Sequence, residues 1–184
     1  MRWNGKIPAD VLILGRKVAD MAVIEKGSIE VISRSPSQTR RLGMRLGELL
    51  LPGDVICLEG NLGAGKTTLV QGIASGWGSY DAVTSPSFVL VNVYRRLDQM
   101  QLFHLDAYRL AGPAEAIDLD IDVLLNRGPL LVEWADKIKE ALPDGHLWMK
   151  MRTINEEQRD FVVNAQGDRH KKILERFRED IYGA

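Results

Sequence analysis

The stretch Gly60–Thr67 reads GNLGAGKT and matches the pattern G-x-x-x-x-G-K-[ST] in full. Its glycines let the backbone curl around a phosphate chain with the N–H groups pointing inward, through dihedral angles that a Cβ atom would obstruct. In this pattern the ammonium of Lys66 contacts the β- and γ-phosphates, and the hydroxyl of Thr67 is a ligand of Mg²⁺. The pattern therefore predicts a nucleoside-triphosphate site, the plain alternative being a glycine-rich turn with an accidental lysine.

The sequence on either side of this loop supports the first interpretation. Val55–Leu58 is a short apolar run typical of a buried parallel strand. Residues 67–74 carry apolar side chains at helical spacing, and we expect Gly76 and Gly78 to stop that helix. A strand, a glycine loop and a helix in this order are the context that the motif requires. The residues expected to bind the nucleotide here are Asn61, Leu62, Gly63, Ala64, Gly65, Lys66, Thr67 and Thr68.

Composition and charge narrow the class of protein. A chain of 184 residues with 45% hydrophobic and 27% charged residues is most simply one globular domain with a substantial core. The net charge of −1 gives no overall attraction to nucleic acid or to a lipid surface. A single cysteine, Cys57, excludes an internal disulfide and fits a reducing cytosol, so we expect a cytoplasmic protein.

The N-terminal part of the chain carries no clear element. Its apolar run Val11–Leu14 is too short for a membrane span and poor as the core of a secretory signal. We expect residues 1–27 to be an extension of uncertain order and residues 28–184 to form the domain, without a membrane partner.

The remaining pattern predicts an α/β fold. The expected elements are, in chain order, a strand Ile29–Ser33, a helix from Ser35-Pro36 with leucines on one face as far as Leu50, a hairpin of Phe88–Tyr94 with Gln101–Asp106, a helical stretch from Pro113 to about Leu125, a strand Pro129–Trp134, a hairpin of Trp148–Ile154 with Phe161–Ala165, and a final helix over residues 169–181. Strands alternating with helices around a phosphate loop are typical of a layered fold. We predict a single-domain P-loop NTPase with a mostly parallel central sheet, antiparallel additions, and helices on both faces.

Two acidic residues are candidates for the chemistry. Mg²⁺ needs six oxygen ligands, of which Thr67 supplies one, so an acid on a neighbouring strand is expected. Glu133 ends an apolar strand, where ligands sit in open α/β sheets, although a surface acid at a strand end is the alternative. Asp106 could hold a metal-bound water, orient the attacking water or act as a base; the alternative is a turn-capping role ahead of Tyr108.

Two further positions are candidates for contact with the nucleotide. Ser85 belongs to a hydroxyl-rich turn, Thr84–Ser87, which is placed as a switch segment could be, able to touch the γ-phosphate or Mg²⁺. Trp134 follows the acid of the second strand and could line the site, or it could simply belong to the core.

Four motifs together resemble the TsaE (also YjeE) family. They are GNLGAGKTT at 60–68, TSPSF at 84–88, HLDAYRL at 104–110 and LVEW at 131–134, and the resemblance spans roughly residues 29–166. It implies a small P-loop ATPase, weak by itself, in the bacterial machinery that places threonylcarbamoyl on the adenosine beside the tRNA anticodon. It also implies ATP and Mg²⁺ as ligands and the TsaD–TsaB dimer as partner. With the low net charge, tRNA contact is expected only through the complex.

The resemblance assigns roles residue by residue. It implies that Lys66 and Thr67 bind phosphate and Mg²⁺, that Glu133 binds Mg²⁺, and that Asp106 sits at the hydrolytic centre, with Lys66 and Asp106 as the catalytic pair. Arg159 matches a position where family members carry a basic residue near the nucleotide. This chain departs from the family at Ser87, where many members have threonine, and in its N-terminal extension.

Three other classes of nucleotide-binding protein are alternatives to a partner-dependent ATPase. A P-loop GTPase is disfavoured because the chain has neither an N-K-x-D motif nor a D-x-x-G switch. A small-molecule kinase would need an acceptor pocket and a lid that carries arginines. Only Arg95-Arg96 and Arg109 hint at such a lid. A nucleotide sensor that docks a partner without hydrolysis would have little use for two acids.

Overall fold

The computed structural model describes residues 12–13, 16–17, 27–83 and 90–183 of the chain. The strands are β1 (Leu12–Ile13), β2 (Arg16–Lys17), β3 (Ile29–Ser33), β4 (Val55–Glu59), β5 (Val91–Arg95), β6 (Gln101–Asp106), β7 (Leu130–Glu133), β8 (His146–Thr153) and β9 (Arg159–Gln166). The helices are α1 (Pro36–Gly47), α2 (Lys66–Trp77), α3 (Pro113–Ile117), α4 (Ile121–Leu125) and α5 (Asp168–Tyr182), with 3₁₀ turns at Ala107–Arg109 and Ala135–Ala141. In these ranges, no helix has the length and apolar character to cross a membrane.

Seven of these strands form one sheet in the order β3-β9-β8-β4-β7-β6-β5. Its centre is parallel, because β4 pairs with β7 and β8, and β7 pairs with β6, all in the same direction. The edges are antiparallel hairpins: β5 with β6 on one side, and β8 with β9, extended by β3, on the other. Short β1 and β2 pair with each other in a separate two-stranded sheet. The predicted mixed sheet is therefore confirmed.

Alternation along the central strand divides the core into two layers. Ile56 and Leu58 of β4 pack with the layer that contains α1, α2 and α5. Val55 and Cys57 pack with the layer that contains α3, α4 and the second 3₁₀ turn. Helices on both faces are confirmed, and Cys57 is a buried apolar residue whose thiol pKa is raised by burial.

Helices α1 and α2 approach closely enough for their backbones to touch. A Cβ atom on Gly76 would lie 1.9 Å from the carbonyl oxygen of Met44, and one on Gly47 would lie 2.1 Å from that of Ile73. Gly76 therefore lies inside α2, which continues to Trp77, and the prediction that it stops the helix is wrong. Gly78 is the C-cap, as predicted.

Other boundaries also differ from expectation. The stretch from Pro113 to Leu125 is two short helices instead of one, because Asp120 adopts a left-handed conformation (φ 47°) between them. Helix α1 ends at Gly47, so buried Leu50 follows the helix instead of belonging to it. Strand β5 starts at Val91. The expected strand residues Phe88 and Val89 lie outside the described residues, and the division between residues 1–27 and 28–184 stays a prediction.

Candidate functional site

The candidate site lies where three adjacent parallel strands end. Register pairs Leu58 of β4 with Glu133 of β7, and Glu133 with Asp106 of β6. The glycine loop follows β4 directly and leads into α2. Because the carboxyl ends of parallel strands meet at one edge, the fold brings the loop and both predicted acids together.

The loop backbone adopts the left-handed conformation that the glycine pattern predicts. Gly63 and Gly65 have φ values of 78° and 95°, in the region that favours glycine. Gly65 precedes α2 without a side-chain cap, so the first N–H groups of α2 have no such partner. Uncapped N–H groups at the start of a helix, together with the helix dipole, form a site for an anion.

Lys66 is buried at the base of this loop. Its Nζ donates hydrogen bonds to the carbonyl oxygens of Gly60 (2.7 Å) and Asn61 (3.1 Å) and lies 3.7 Å from the centroid of the Trp134 ring. Burial lowers the pKa of Lys66, while the charges of Glu133, Asp106 and Asp136 act in the opposite direction. The ammonium is thus already removed from bulk water and surrounded by acceptors.

Thr67 and Glu133 are joined directly. The Thr67 hydroxyl donates to Oε1 of Glu133 over 3.0 Å, and the carboxylate is buried. Since this hydroxyl uses its hydrogen toward Glu133, its oxygen lone pairs are available to a cation. No group of three or more His, Cys, Asp or Glu residues suited to a metal occurs in the described ranges. One hydroxyl and one carboxylate match the few protein ligands that Mg²⁺ takes beside phosphates and water.

Asp106 caps a turn and also lies at the cleft. Its Oδ1 accepts a hydrogen bond from the backbone N–H of Tyr108 (3.0 Å), which caps the 3₁₀ turn Ala107–Arg109. The same side chain lines the cleft beside Lys66. The capping contact therefore fixes the carboxylate at the edge of the site without removing it from the cleft.

These residues surround a cleft of about 330 Å³. Most of the predicted site residues line the cleft, together with Tyr108, which was not predicted. The lining residues are Leu62, Gly63, Gly65, Lys66, Thr67, Thr68, Asp106, Tyr108, Glu133, Trp134 and Arg159. The loop residue Ala64 is buried, and Asn61 faces a neighbouring cleft instead. Ser85 lies outside the described residues.

Arg159 is on the wall of the cleft next to the loop. Its Nη1 lies within hydrogen-bond distance of the carbonyl oxygens of Asn155 (2.8 Å), Glu156 (3.1 Å) and Gln158 (2.9 Å). The side chain thus packs beside Gly65 while its charge is bound to its own turn.

Sequence reasoning did not identify three aromatic or imidazole side chains at the site. Tyr108 packs against Trp134 with ring centroids 4.9 Å apart. His104 lies within hydrogen-bond distance of Glu133, and Tyr94 within hydrogen-bond distance of His104. Because side chains alternate along a strand, the sequence of β6 indicates that His104 lies on the same face as Asp106. The contact of His104 with Glu133 depends in addition on the register between β6 and β7.

Known proteins resemble this chain over the region just described. Residues 33–161 match the family model described as Threonylcarbamoyl adenosine biosynthesis protein TsaE. The tRNA threonylcarbamoyladenosine biosynthesis protein TsaE of Streptomyces coelicolor is 43% identical over 136 residues, which are 71% of this chain and 92% of the relative. The protein of the same name from Bacillus subtilis is 35% identical over 141 residues, 77% of this chain and 88% of the relative.

A solved structure agrees with the sequence relatives. The crystal structure of Bacillus subtilis YdiB superposes with a TM-score of 0.69 at 30% identity, covering 84% of this chain and 96% of the other. The residues matched by the family model, 33–161, contain the glycine loop, both acids and Arg159. The resemblance drawn from four motifs is confirmed: this chain belongs to the TsaE family.

Proposed function

We propose that this chain binds Mg²⁺·ATP in the cleft and hydrolyses it slowly, as an accessory protein of tRNA threonylcarbamoyladenosine biosynthesis. The observation that carries the proposal is the contact of Thr67 with Glu133 beside the buried Lys66, at the mouth of a glycine loop. Membership of the TsaE family supports the biological role, since the relatives are named for this biosynthesis.

The triphosphate is proposed to lie along the loop and the start of α2. There the backbone N–H groups donate to phosphate oxygens, and Lys66 exchanges its bonds to Gly60 and Asn61 for bonds to phosphate. Because the ammonium is buried before any ligand arrives, little water has to be removed from it on binding. Thr68 and Arg159 line the same cleft and are proposed to contact the nucleotide.

Thr67 and Glu133 are proposed to hold the metal. Mg²⁺, when bound, supplies positive charge that offsets the charge developing on the phosphates. The residues fit this ion, because a hydroxyl oxygen and a carboxylate are hard oxygen ligands and their mutual hydrogen bond holds them in a fixed relation.

Asp106 is proposed to orient the attacking water or to accept its proton. It lines the cleft on the strand next to Glu133, and its cap contact with Tyr108 prevents the carboxylate from rotating away. Trp134 covers Lys66 and packs on Tyr108, so these two rings are proposed to limit access of bulk water.

Slow turnover by the chain alone follows from its arginines. A transition-state arginine is worth roughly 10³–10⁵ in rate where one acts. Arg159 lies at the cleft, but its Nη1 is bound to carbonyl groups of its own turn. We therefore propose that TsaD and TsaB change the rate, by acting on residues 84–88 or by contributing charge. With a net charge of −1, contact with tRNA comes through that complex, in the cytoplasm.

The test is ATP hydrolysis by the chain alone and with the TsaB–TsaD pair, using Lys66→Ala as the inactive reference. We expect slow turnover alone, a changed rate with the pair, and ATP-dependent capture of both partners. Fast turnover without partners, or phosphate transfer to a small metabolite, would favour the kinase. ATP-dependent capture without any hydrolysis would favour the nucleotide sensor.

A further inference from the structure

A row of hydrogen bonds runs from the candidate metal ligands into the core. Glu133 accepts from Thr67 and lies 3.1 Å from Nε2 of His104. The other ring nitrogen of His104, Nδ1, lies 3.1 Å from the hydroxyl of Tyr94. His104 has no exposed surface, and Tyr94 is 4% exposed. Both ring nitrogens of a fully buried histidine are therefore occupied, one of them by the proposed magnesium acid.

The chemistry of the partners fixes the direction of these bonds. An ionised carboxylate only accepts, so Nε2 of His104 carries a hydrogen toward Glu133, and with the ring hydrogen on Nε2 the Nδ1 atom can accept from the Tyr94 hydroxyl. Burial, reinforced by the negative charges of Glu133 and Asp81 and opposed by the neighbouring Asn92 side chain, raises the pKa of Tyr94 to about 12. The Tyr94 hydroxyl accordingly keeps its proton and remains a donor.

Both described bonds to Glu133 end on the same atom, Oε1. Two donors on one carboxylate oxygen, coming from β6 and from α2, restrict rotation of the carboxylate and so fix the direction of the second oxygen, Oε2. A metal ligand held in this way binds its ion without a loss of side-chain freedom.

We propose that His104, oriented by Tyr94, is a positioning residue for Glu133, which sets the magnesium affinity of the site. The inference rests on the proposed function, because it concerns the same Mg²⁺·ATP site. Removing such an outer partner of a metal ligand typically costs about 10–100-fold in metal affinity. Loss of His104 should weaken the Mg²⁺-dependent part of ATP binding and leave the metal-independent part unchanged.

The test is calorimetric titration of ATP at a series of Mg²⁺ concentrations, and with the metal chelated. For His104→Leu we expect the half-saturating Mg²⁺ concentration to rise about 10–100-fold, with unchanged affinity for metal-free ATP. His104→Gln keeps an N–H donor near the position of Nε2 and should restore most of the loss. Tyr94→Phe removes one hydroxyl and should give a smaller rise. His146→Gln, at the opposite end of the sheet, is the matched control and should behave as wild type.

Nitrogen chemical shifts of the His104 ring give a second reading that does not depend on nucleotide, and they should report the tautomer protonated at Nε2. If His104→Leu does not fold, the Mg²⁺ requirement of Tyr94→Phe and the nitrogen chemical shifts of the His104 ring test the inference instead. An unchanged Mg²⁺ requirement, an equal loss of affinity with and without metal, or the Nδ1-protonated tautomer would overturn the inference. Failure of wild type to bind Mg²⁺·ATP at all would instead overturn the proposed function, and this inference with it.

Discussion

Among single residues, Glu133 connects the glycine loop with the core of the protein. Its Oε1 receives hydrogen bonds from a loop residue, Thr67, and from a core residue, His104, while its strand neighbour in register is Asp106. The two acids therefore lie side by side with different partners. Glu133 is bound to two side chains, one at the cleft and one in the core, and Asp106 is bound to the backbone of its own turn.

Different partners predict different phenotypes for the two acids. Glu133→Gln keeps an acceptor at Oε1 but loses the charge that holds the metal, so ATP binding should require more Mg²⁺. Asp106→Asn keeps the cap on Tyr108, so ATP binding should persist while hydrolysis falls by about 10²–10⁴-fold, the usual contribution of a positioned acid–base group. Titrations and turnover measurements on both variants check this, with exposed Glu175→Gln as control. The assignment is wrong if Asp106→Asn loses binding while Glu133→Gln binds and turns over normally.

Much of the residue-level site follows from sequence, for a physical reason. Lys66, Thr67 and the loop glycines belong to one contiguous motif, so no tertiary information was needed to bring them together. Glu133 and Asp106 were identifiable because each ends an apolar strand. His104 was not, since its role depends on the register between β6 and β7, which no local pattern encodes.

At the scale of elements, the helix that carries the loop is held by close packing against α1. Gly43 and Gly47 of α1 face α2, and Gly72 and Gly76 of α2 face α1, each with backbone atoms of the other helix where a Cβ would stand. Local propensity favours glycine at the end of a helix, which is why the sequence wrongly predicts a helix end at Gly76. Its role is visible only when the second helix is present.

This packing predicts a large effect of a small substitution. Gly76→Ala places a methyl group 1.9 Å from the Met44 carbonyl oxygen and should lower the free energy of unfolding by about 1–3 kcal/mol. That loss would exceed the gain of about 1 kcal/mol that alanine normally brings to a helix. Urea unfolding measures it, with exposed Ser75→Ala in the same helix as the control expected near wild type. Equal or greater stability of Gly76→Ala would contradict the close approach.

Helix α5 is attached to the start of β4 by a histidine. Nε2 of His170 accepts from the backbone N–H of Val55 (3.0 Å), and Arg169 donates to both oxygens of Asp54. Burial lowers the pKa of His170; Asp54 opposes this effect, whereas His146 and Arg169 add to it. The folded chain therefore favours the neutral ring, which can accept the bond from Val55.

The lowered pKa of His170 gives a signed prediction for stability. As the pH falls below about 6.5, the unfolded chain takes up a proton on this ring before the folded chain does, so stability is full above that pH and decreases below it. His170→Gln keeps an acceptor that does not titrate. Urea unfolding at about pH 7.5 and about pH 5.5 should show a smaller decrease in the variant than in wild type. An equal decrease in both would assign the effect to other groups.

At the scale of the whole molecule, the parallel centre of the sheet explains why the site is assembled at one edge. The three neighbouring strands β4, β7 and β6 place the loop, Glu133 and Asp106 at the same edge of the sheet. Antiparallel hairpins extend the sheet on both sides. This layout was predictable, because buried parallel strands have a recognisable apolar pattern. The break within Pro113–Leu125 was not, because it depends on the left-handed Asp120.

The expected extension leads to a prediction about the minimal chain. Within the described residues, the large sheet begins at Ile29, and every residue that lines the cleft follows it in the chain. A chain of residues 28–184 should therefore fold and bind Mg²⁺·ATP with unchanged affinity. Calorimetry on the shortened chain checks this, and a weaker affinity would place part of residues 1–27 at the site.

Direct titration of Mg²⁺·ATP into wild type, Lys66→Ala and the exposed control Lys172→Ala tests whether the cleft binds Mg²⁺·ATP through Lys66. Hydrogen bonds to charged groups are worth about 1.5–3 kcal/mol, so Lys66→Ala should weaken binding by about 10–100-fold or more. Its fold should be retained, since the ammonium contacts loop carbonyls and not the apolar core. Saturable binding in wild type and in Lys172→Ala, with loss in Lys66→Ala, is the result that we predict. Equal binding by all three chains, or by none, would contradict it.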